Sequence, residues 1–401
     1  MVVQTPGRLY FERSRSSIDA LDGLRSFAII LVLLRHAIRP FSDLEEPGVF
    51  SIFGWDYMNF FLNGWVGVDL FFILSGFLIA HHLFKRQSNT LSFKEYGGYI
   101  FARGLRILPA YYFVIALILS GVFLNFDAGN ENISFRIFYH ALLMQDVLPS
   151  NINVVFWSLG VEWKFYLIAP FIVLYLSRLK SHRAVFNVIG ICILLPLILR
   201  TALALNVSAL VSYADYFPNF RSPFYMCFEG FFVGIFCAYI YANREKINIE
   251  HILSSANLIF WVGLLGILAL VLPTPLLDHG TGWFAQTILQ TLIALFWGAI
   301  VLSVLFGGGP VRFLSNGVFL VVARLSYVAY LVHLPLIPLS LALTALVIDI
   351  KLATSLPFFL FFGILCALTT MLSVVIHFGI EKPFTNMRQQ LVKPLGPKSC
   401  G

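Results

Sequence analysis

The chain has 401 residues, of which 59% are hydrophobic and only 12% are charged. A soluble domain carries about 25% charged residues, so this chain could not cover a water-exposed surface with polar groups. The formal net charge of +7 fits the Lys and Arg excess of membrane proteins, and no basic and aromatic cluster in a polar context indicates a nucleic-acid partner. The composition predicts an all-α, polytopic membrane protein.

Ten apolar segments predict a bundle of about ten transmembrane helices. Their approximate bounds are 23–40, 61–84, 107–124, 155–177, 185–205, 222–242, 257–273, 283–306, 324–348 and 355–380. When alternate loops are assigned to opposite sides, the side of the N-terminus holds 19 Lys and Arg residues and the other side holds 4. This bias predicts that both termini are cytoplasmic.

We therefore expect three regions along the chain. Residues 1–22 form a cytoplasmic N-terminal segment, residues 23–384 a transmembrane domain and residues 385–401 a cytoplasmic tail. Four of the five cysteines lie in apolar spans and Cys400 lies in the tail, which is neither a disulfide framework nor a metal-binding spacing. No metal site is predicted.

The first span carries Arg25 and His36, which are eleven residues apart. On an α-helix this separation is a rise of roughly 16 Å, and the two side chains point within about 20° of the same direction. One side chain lies near a membrane surface and the other lies well inside, so we expect them to face a single cavity. Arg35 is interpreted as a side chain that extends to the outer headgroups.

Further polar residues interrupt the next spans. Asp69 in the second span and Glu162 in the fourth lie at depths close to that of His36, and a buried carboxylate needs a partner. The pair Ser75-Gly76 is more typical of close helix packing than of catalysis.

Two further groups each have a structural and a functional interpretation. Arg103 and Arg106 lie on one helical face where the third span begins. They are either membrane anchors that follow the positive-inside rule or ligands for phosphate groups. Ser326, Tyr330 and His333 form one polar stripe on the ninth span. This stripe either forms hydrogen bonds between helices or belongs to a functional site. The spacing does not decide between these interpretations.

Taken together, these motifs resemble the acyltransferase 3 family of membrane O-acyltransferases. The resemblance runs from about Ile18 to Phe384 and depends on the order and spacing of Arg25-x10-His36, Ser75-Gly76-Phe77, Arg103-x2-Arg106, Trp157-Ser158-Leu159 to Glu162, and Ser326-Tyr327 with Tyr330 and His333. It implies a ten-helix bundle in a bacterial inner (plasma) membrane, in the stand-alone form without an SGNH domain. The implied substrates are acyl-CoA, usually acetyl-CoA, and a glycan or lipid-linked acceptor.

The resemblance and the residue chemistry suggest roles for these side chains. His36 is the candidate general base for an attacking hydroxyl, oriented by Glu162 or Asp69. Direct transfer and a transient acyl-histidine both fit this assignment. We expect basic side chains to hold the phosphates of coenzyme A and four others to serve the acceptor or an oxyanion. The former are Arg25, Arg103 and Arg106, and the latter are Ser75, Trp157, Tyr330 and His333.

A proton-coupled secondary transporter or flippase is the competing interpretation, because intramembrane His, Asp and Glu also form proton relays. The lack of an inverted repeat in the sequence counts against it, as do two arginines at one helix start. A purely structural membrane protein is a third interpretation, disfavoured by the number of polar groups within spans.

Overall fold

The structure is a computed structural model. It describes residues 19–42, 50–52, 55–86, 90–129, 131–148, 152–207, 212–273, 282–351 and 354–391. Residues 1–18 of the predicted N-terminal segment and residues 392–401 of the predicted tail therefore lie outside the described residues.

Long α-helices account for most of the described residues. They are α1 Asp19–Ile38, α2 Val66–Phe84, α3 Phe93–Leu119, α4 Trp157–Arg178, α5 His182–Asn206, α6 Glu229–Ala242, α7 Glu250–Val271, α8 Leu289–Leu305, α9 Gly317–Ala345 and α10 Leu356–Ile376, followed by the terminal helix α11 Lys382–Leu391. Each of the ten predicted spans overlaps one of the helices α1 to α10.

Short elements connect these helices. The α-helical ones are Met58–Leu62, Ile133–Ala141, Tyr213–Tyr216, Phe224–Cys227, Trp283–Gln286 and Val311–Leu314. Two 3₁₀ turns cover Arg39–Phe41 and Val154–Phe156, and two π-helical turns cover Phe217–Arg221 and His377–Glu381. Strands β1 Ser51–Ile52 and β2 Trp55–Asp56 pair antiparallel.

Seven of the described helices are long and apolar enough to cross a membrane: α2, α3, α4, α5, α7, α9 and α10. The chain is an integral membrane protein on this basis. Helices α6 and α8 have 14 and 17 residues, fewer than the about 20 that a bilayer requires, and α1 carries four charged residues. The ten-span topology and the placement of the termini remain predictions.

Helix α1 occupies the interior of the bundle. It packs against α2, α8, α9 and α10, and most of its residues are buried. This position explains how a helix with four charged residues fits among apolar ones, because those side chains contact protein rather than lipid. Arg35 is only 5% exposed, so the expectation that it extends to the outer headgroups is wrong.

Helix α3 begins 14 residues before its predicted start at 107. A capping box fixes this start: Ser92 Oγ accepts from the Glu95 amide at 3.3 Å, and Glu95 Oε2 accepts from the Ser92 amide at 2.8 Å. The predicted span does not include this polar first part of the helix, so Arg103 and Arg106 lie in mid-helix rather than at the helix start.

The connection before α4 folds back against the bundle after the helix Ile133–Ala141. Asp146 is buried there and forms an ion pair with Lys164 of α4, and its backbone carbonyl accepts from Ser222 Oγ at 2.8 Å. Lys164 pairs with Asp146 rather than with Glu162, two positions before it in α4. The ion pair therefore anchors the connection to α4.

Candidate functional site

A cavity of about 550 Å³ opens between α1, α2, α3, α4, α9, α11 and the π-helical turn before α11. The charged side chains that line it are Arg25, Arg103, Arg106, Arg324 and Lys382, with Glu162 and Glu381. Five cations against two carboxylates make this cavity a site for anionic ligands.

The three arginines predicted to bind a donor all reach this cavity. Arg25 comes from α1, while Arg103 and Arg106 come from one face of α3. The Arg103 guanidinium lies 5.5 Å from the Tyr99 ring centroid and 5.6 Å from that of Tyr166, which orients it. The geometry brings the arginines together, and their role in binding a donor stays a prediction.

Glu162 lies beside these cations with two hydroxyl partners. Its Oε1 accepts from Ser75 Oγ and from Tyr166 OH, each at 2.5 Å. Glu162 and Tyr166 are one turn apart on α4, and Ser75 lies midway along α2, so the contact joins two helices. Ser75 lines the cavity and donates to this carboxylate, and its expected role toward the acceptor or an oxyanion stays a prediction.

His36 does not line the cavity and is paired with another histidine. Its Nδ1 lies 3.0 Å from His333 Nε2 and 3.0 Å from the carbonyl oxygen of Val32. The His333 Nδ1 lies 3.2 Å from the carbonyl oxygen of Ala329. The expectation that Glu162 or Asp69 orients His36 is therefore wrong in this structure, where His333 takes that position.

The carbonyl contacts assign the tautomers of both rings. A carbonyl oxygen only accepts, so each Nδ1 carries the proton: His333 donates to Ala329, and His36 shares its proton between Val32 and His333 Nε2. His36 Nε2 is then left with a lone pair, and it has no hydrogen bond to the described residues. A neutral imidazole in this tautomer can accept a proton from a hydroxyl.

Tyr330 lies between the histidine pair and the cavity. Its hydroxyl donates to the Val155 carbonyl oxygen at 2.8 Å and lies 2.7 Å from Ser158 Oγ, while its ring centroid is 5.9 Å from that of His333. Tyr330, Ser158 and Ser326 line the cavity, whereas His333 does not. The polar stripe on α9 thus runs from the cavity to the histidine pair.

Asp69, a predicted catalytic residue, is held by Arg221, which lies one residue before the predicted sixth span. Arg221 donates to both Asp69 oxygens, at 2.8 and 2.9 Å, and the two side chains are almost fully buried. The Arg221 guanidinium lies 4.9 Å from the Trp65 ring centroid and 5.2 Å from that of Trp157. Asp69 and Trp157 therefore hold Arg221, and neither lines the cavity.

A second buried ion pair lies next to the first. Arg200 of α5 donates to Glu229 Oε1 at 2.7 Å and to Thr291 Oγ1 at 2.7 Å. Gln290 Oε1 lies 3.5 Å from both Arg200 and Arg221, so the two pairs form one network. Sequence reasoning gave Arg200 no partner. The signal that could have revealed one is that Arg200 and Glu229 carry opposite charges and both interrupt apolar spans.

Sequence reasoning assigned no role in the site to several other residues that line the cavity. Tyr166 follows Glu162 by one helical turn, and Arg324 lies two residues before Ser326. His377 Nδ1 lies 2.6 Å from Glu381 Oε2 in the second π-helical turn, and both side chains line the cavity. No group of three His, Cys, Asp or Glu side chains that could hold a metal ion occurs in the described part of the chain.

The family comparison agrees with this arrangement of motifs. The model of the acyltransferase 3 family, described as an acyltransferase domain, matches residues 18–378. The chain belongs to this family. The histidine pair, the serines and the arginines described above all lie within the matched region.

Several proteins named as O-acetyltransferases or acetyltransferases are similar in sequence to this chain. A peptidoglycan O-acetyltransferase of Listeria monocytogenes is 28% identical over 44% of this chain and 27% of its own length. A putative peptidoglycan O-acetyltransferase of Bacillus subtilis is 29% identical over 46% of this chain and 28% of its own length. A putative acetyltransferase of Acidianus two-tailed virus is 28% identical over 69% of this chain and 74% of its length.

The chain thus matches only about a quarter of the length of the two bacterial relatives. No solved structure matches it. The chain is therefore a member of the acyltransferase 3 family, and it is similar to proteins named as peptidoglycan O-acetyltransferases.

Proposed function

We propose that this protein moves an acyl group, usually acetyl, from acyl-CoA to a hydroxyl of a cell-surface or exported glycan or glycolipid. We place it in a bacterial inner membrane, where such an acceptor is reached from the outer side. The observation that carries the donor assignment is the cavity, in which arginines from α1, α3 and α9 face one another.

Coenzyme A suits this cavity because its phosphates are anionic and its pantetheine arm is long and neutral. Arg103 and Arg106 present planar guanidinium groups, which bind phosphate oxygens in pairs. From Arg25 to His36 the rise along α1 is about 16 Å, a length that the arm covers. The thioester is then brought toward Tyr330 and the histidine pair.

The acceptor hydroxyl needs a base before it attacks the thioester carbon. In this proposal His36 Nε2 accepts the hydroxyl proton, and the ring becomes a positively charged imidazolium. His333 Nε2 accepts a hydrogen bond from Nδ1 of that ring and so stabilises the charge. The new C–O bond forms as the C–S bond of the thioester breaks. His36 then returns the proton to the thiolate, and coenzyme A leaves as the free thiol. An acyl-histidine route uses the same Nε2 lone pair.

Purified protein in detergent tests this function. We expect it to release free thiol from acetyl-CoA in the presence of a glycan acceptor and to form one ester per thiol. A proton-coupled transporter or flippase gives no turnover without sealed vesicles, so thiol release in detergent distinguishes the two classes. Mass spectrometry of surface polysaccharide from cells with and without the gene then identifies the acceptor by the loss of an acyl mass increment.

A further inference from the structure

The wall of the cavity continues beyond the end of the family match. The match ends at residue 378, but Glu381, Lys382, Thr385 and Asn386 also line the cavity. The last three belong to α11, which follows the π-helical turn His377–Glu381. Part of the cavity wall, helix α11, therefore lies outside the matched region.

Helix α11 presents one polar face to the cavity. Lys382, Thr385 and Asn386 are spaced i, i+3 and i+4, which places them on the same side of a helix. The helix packs against α3, which carries Arg103 and Arg106. The contact between His377 Nδ1 and Glu381 Oε2 at 2.6 Å closes the turn before it, and so fixes the direction in which α11 leaves the bundle.

The three side chains are arranged from the mouth inward. Asn386 is exposed, whereas Lys382 and Thr385 are half-buried, so α11 forms the rim of the cavity and the arginines lie deeper. The Lys382 ammonium lies 4.9 Å from the centroid of the Phe378 ring, a contact that positions it at the start of the helix. A ligand that enters with its pantetheine arm first leaves its nucleotide end at this rim.

We propose that α11 binds the 3′-phosphoadenosine end of acyl-CoA and makes the enzyme select the nucleotide-bearing donor. Lys382 supplies a positive charge for the ribose phosphate, Thr385 a hydroxyl for a phosphate oxygen, and the Asn386 amide both a donor and an acceptor for the adenine edge. The other charged groups that face this rim are Arg324, Arg106 and Glu381, and the last of these is turned toward His377. This inference rests on the proposed function, in which acyl-CoA is the donor.

The test uses three donors that share the acetyl thioester: acetyl-CoA, acetyl-3′-dephospho-CoA and acetyl-pantetheine. We expect Lys382→Ala to raise the KM for acetyl-CoA about tenfold, the effect of losing one charge-assisted hydrogen bond, with little change in kcat. The same variant should have the wild-type KM for both acetyl-3′-dephospho-CoA and acetyl-pantetheine. Asn386→Ala should raise the KM for the two nucleotide-bearing donors and leave that for acetyl-pantetheine unchanged.

Lys180→Ala is the matched control, because Lys180 is an exposed lysine outside the cavity on the same predicted side. An equal loss with all three donors overturns the proposal, as expected if α11 only stabilises the bundle or binds an anionic lipid headgroup. An unchanged KM for acetyl-CoA in both variants overturns it as well. If wild-type protein uses none of the three thioesters, the proposed function itself is wrong and the role of α11 falls with it.

Discussion

His36 is the residue on which the proposed chemistry depends. The Val32 carbonyl and His333 fix the proton on its Nδ1, so Nε2 is available as a base. We expect His36→Ala to lower the transfer rate by about 10²- to 10⁴-fold, the usual contribution of a general base, with unchanged thermal unfolding. His251→Ala, at an exposed histidine, serves as the control and should retain activity. Near-normal turnover of the His36 variant would show that the base lies elsewhere.

Asp69 is expected to affect stability rather than chemistry. Replacing it with Asn leaves Arg221 buried between two indole rings without a full countercharge, and breaking such a pair costs about 3–5 kcal/mol. The free energy of unfolding in detergent should fall by that order, while the activity per folded molecule is retained. The double variant Asp69→Asn with Arg221→Gln should recover part of the loss.

The matched control for Asp69 is Asp349→Asn, at an exposed aspartate, which should leave the free energy of unfolding unchanged. A variant of Asp69 that unfolds normally but transfers no acyl group would contradict the structural role and return Asp69 to catalysis.

Arg106 is expected to affect donor binding. It lines the cavity together with Arg25 and Arg103, so we expect its planar guanidinium group to bind an anionic ligand there. Arg106→Lys keeps the charge but loses bidentate geometry, and the KM for acyl-CoA should rise while the acceptor KM stays the same. The defect should grow with added salt. Arg183→Lys, at an exposed arginine, is the control, and equal behaviour of the two variants would make Arg106 a membrane-surface anchor.

Helices α2 and α6 are held together by glycines. A Cβ on Gly76 would lie 2.3 Å from the Phe231 carbonyl oxygen, and one on Gly234 would lie 2.2 Å from that of Ile73. These contacts bring the two backbones close, as small residues do in membrane helices. Because Ser75 precedes Gly76, this packing also fixes the hydroxyl that donates to Glu162.

We expect Gly76→Ala to separate α2 from α6 and to lower the free energy of unfolding by about 1–3 kcal/mol, the usual cost of overpacking. Transfer activity should fall too, because Ser75 moves away from Glu162. Gly190→Ala on α5 is the control: a Cβ there meets no atom within 4 Å, so the change should be neutral or stabilise by about 0.5–1 kcal/mol. Similar stability losses in both variants would mean that close approach is not the cause.

The whole molecule is expected to have both termini in the cytoplasm, which places the cationic cavity on the side of the acyl-CoA pool. A reporter fused after Lys398, outside the described residues, should read cytoplasmic, and one inserted near Gly129 should read extracytoplasmic. Two fusions that report the same side would contradict the ten-span topology, since 129 and 398 are separated by an odd number of predicted spans.

What the sequence determined by itself is local. Apolar runs identified the helical membrane class and located each long helix, because lipid requires every backbone group to be bonded within a helix or barrel. The spacing of Arg103 and Arg106 put them on one face, and the cavity contains them together with Arg25. Ends of helices were less predictable: the polar start of α3 and the turn before α11 depend on capping and on one side-chain pair.

Only the tertiary structure decided which polar groups are partners. His36 meets His333 from 297 residues away, Asp69 meets Arg221 from 152 and Ser75 meets Glu162 from 87. Similar depth in the membrane made Asp69 and Glu162 equal candidates to orient His36, but depth does not specify the direction in which a helix faces. Close contacts between helices, such as those at Gly76 and Gly234, set that direction. A buried charge is stable only where this packing brings its counterpart within hydrogen-bond distance.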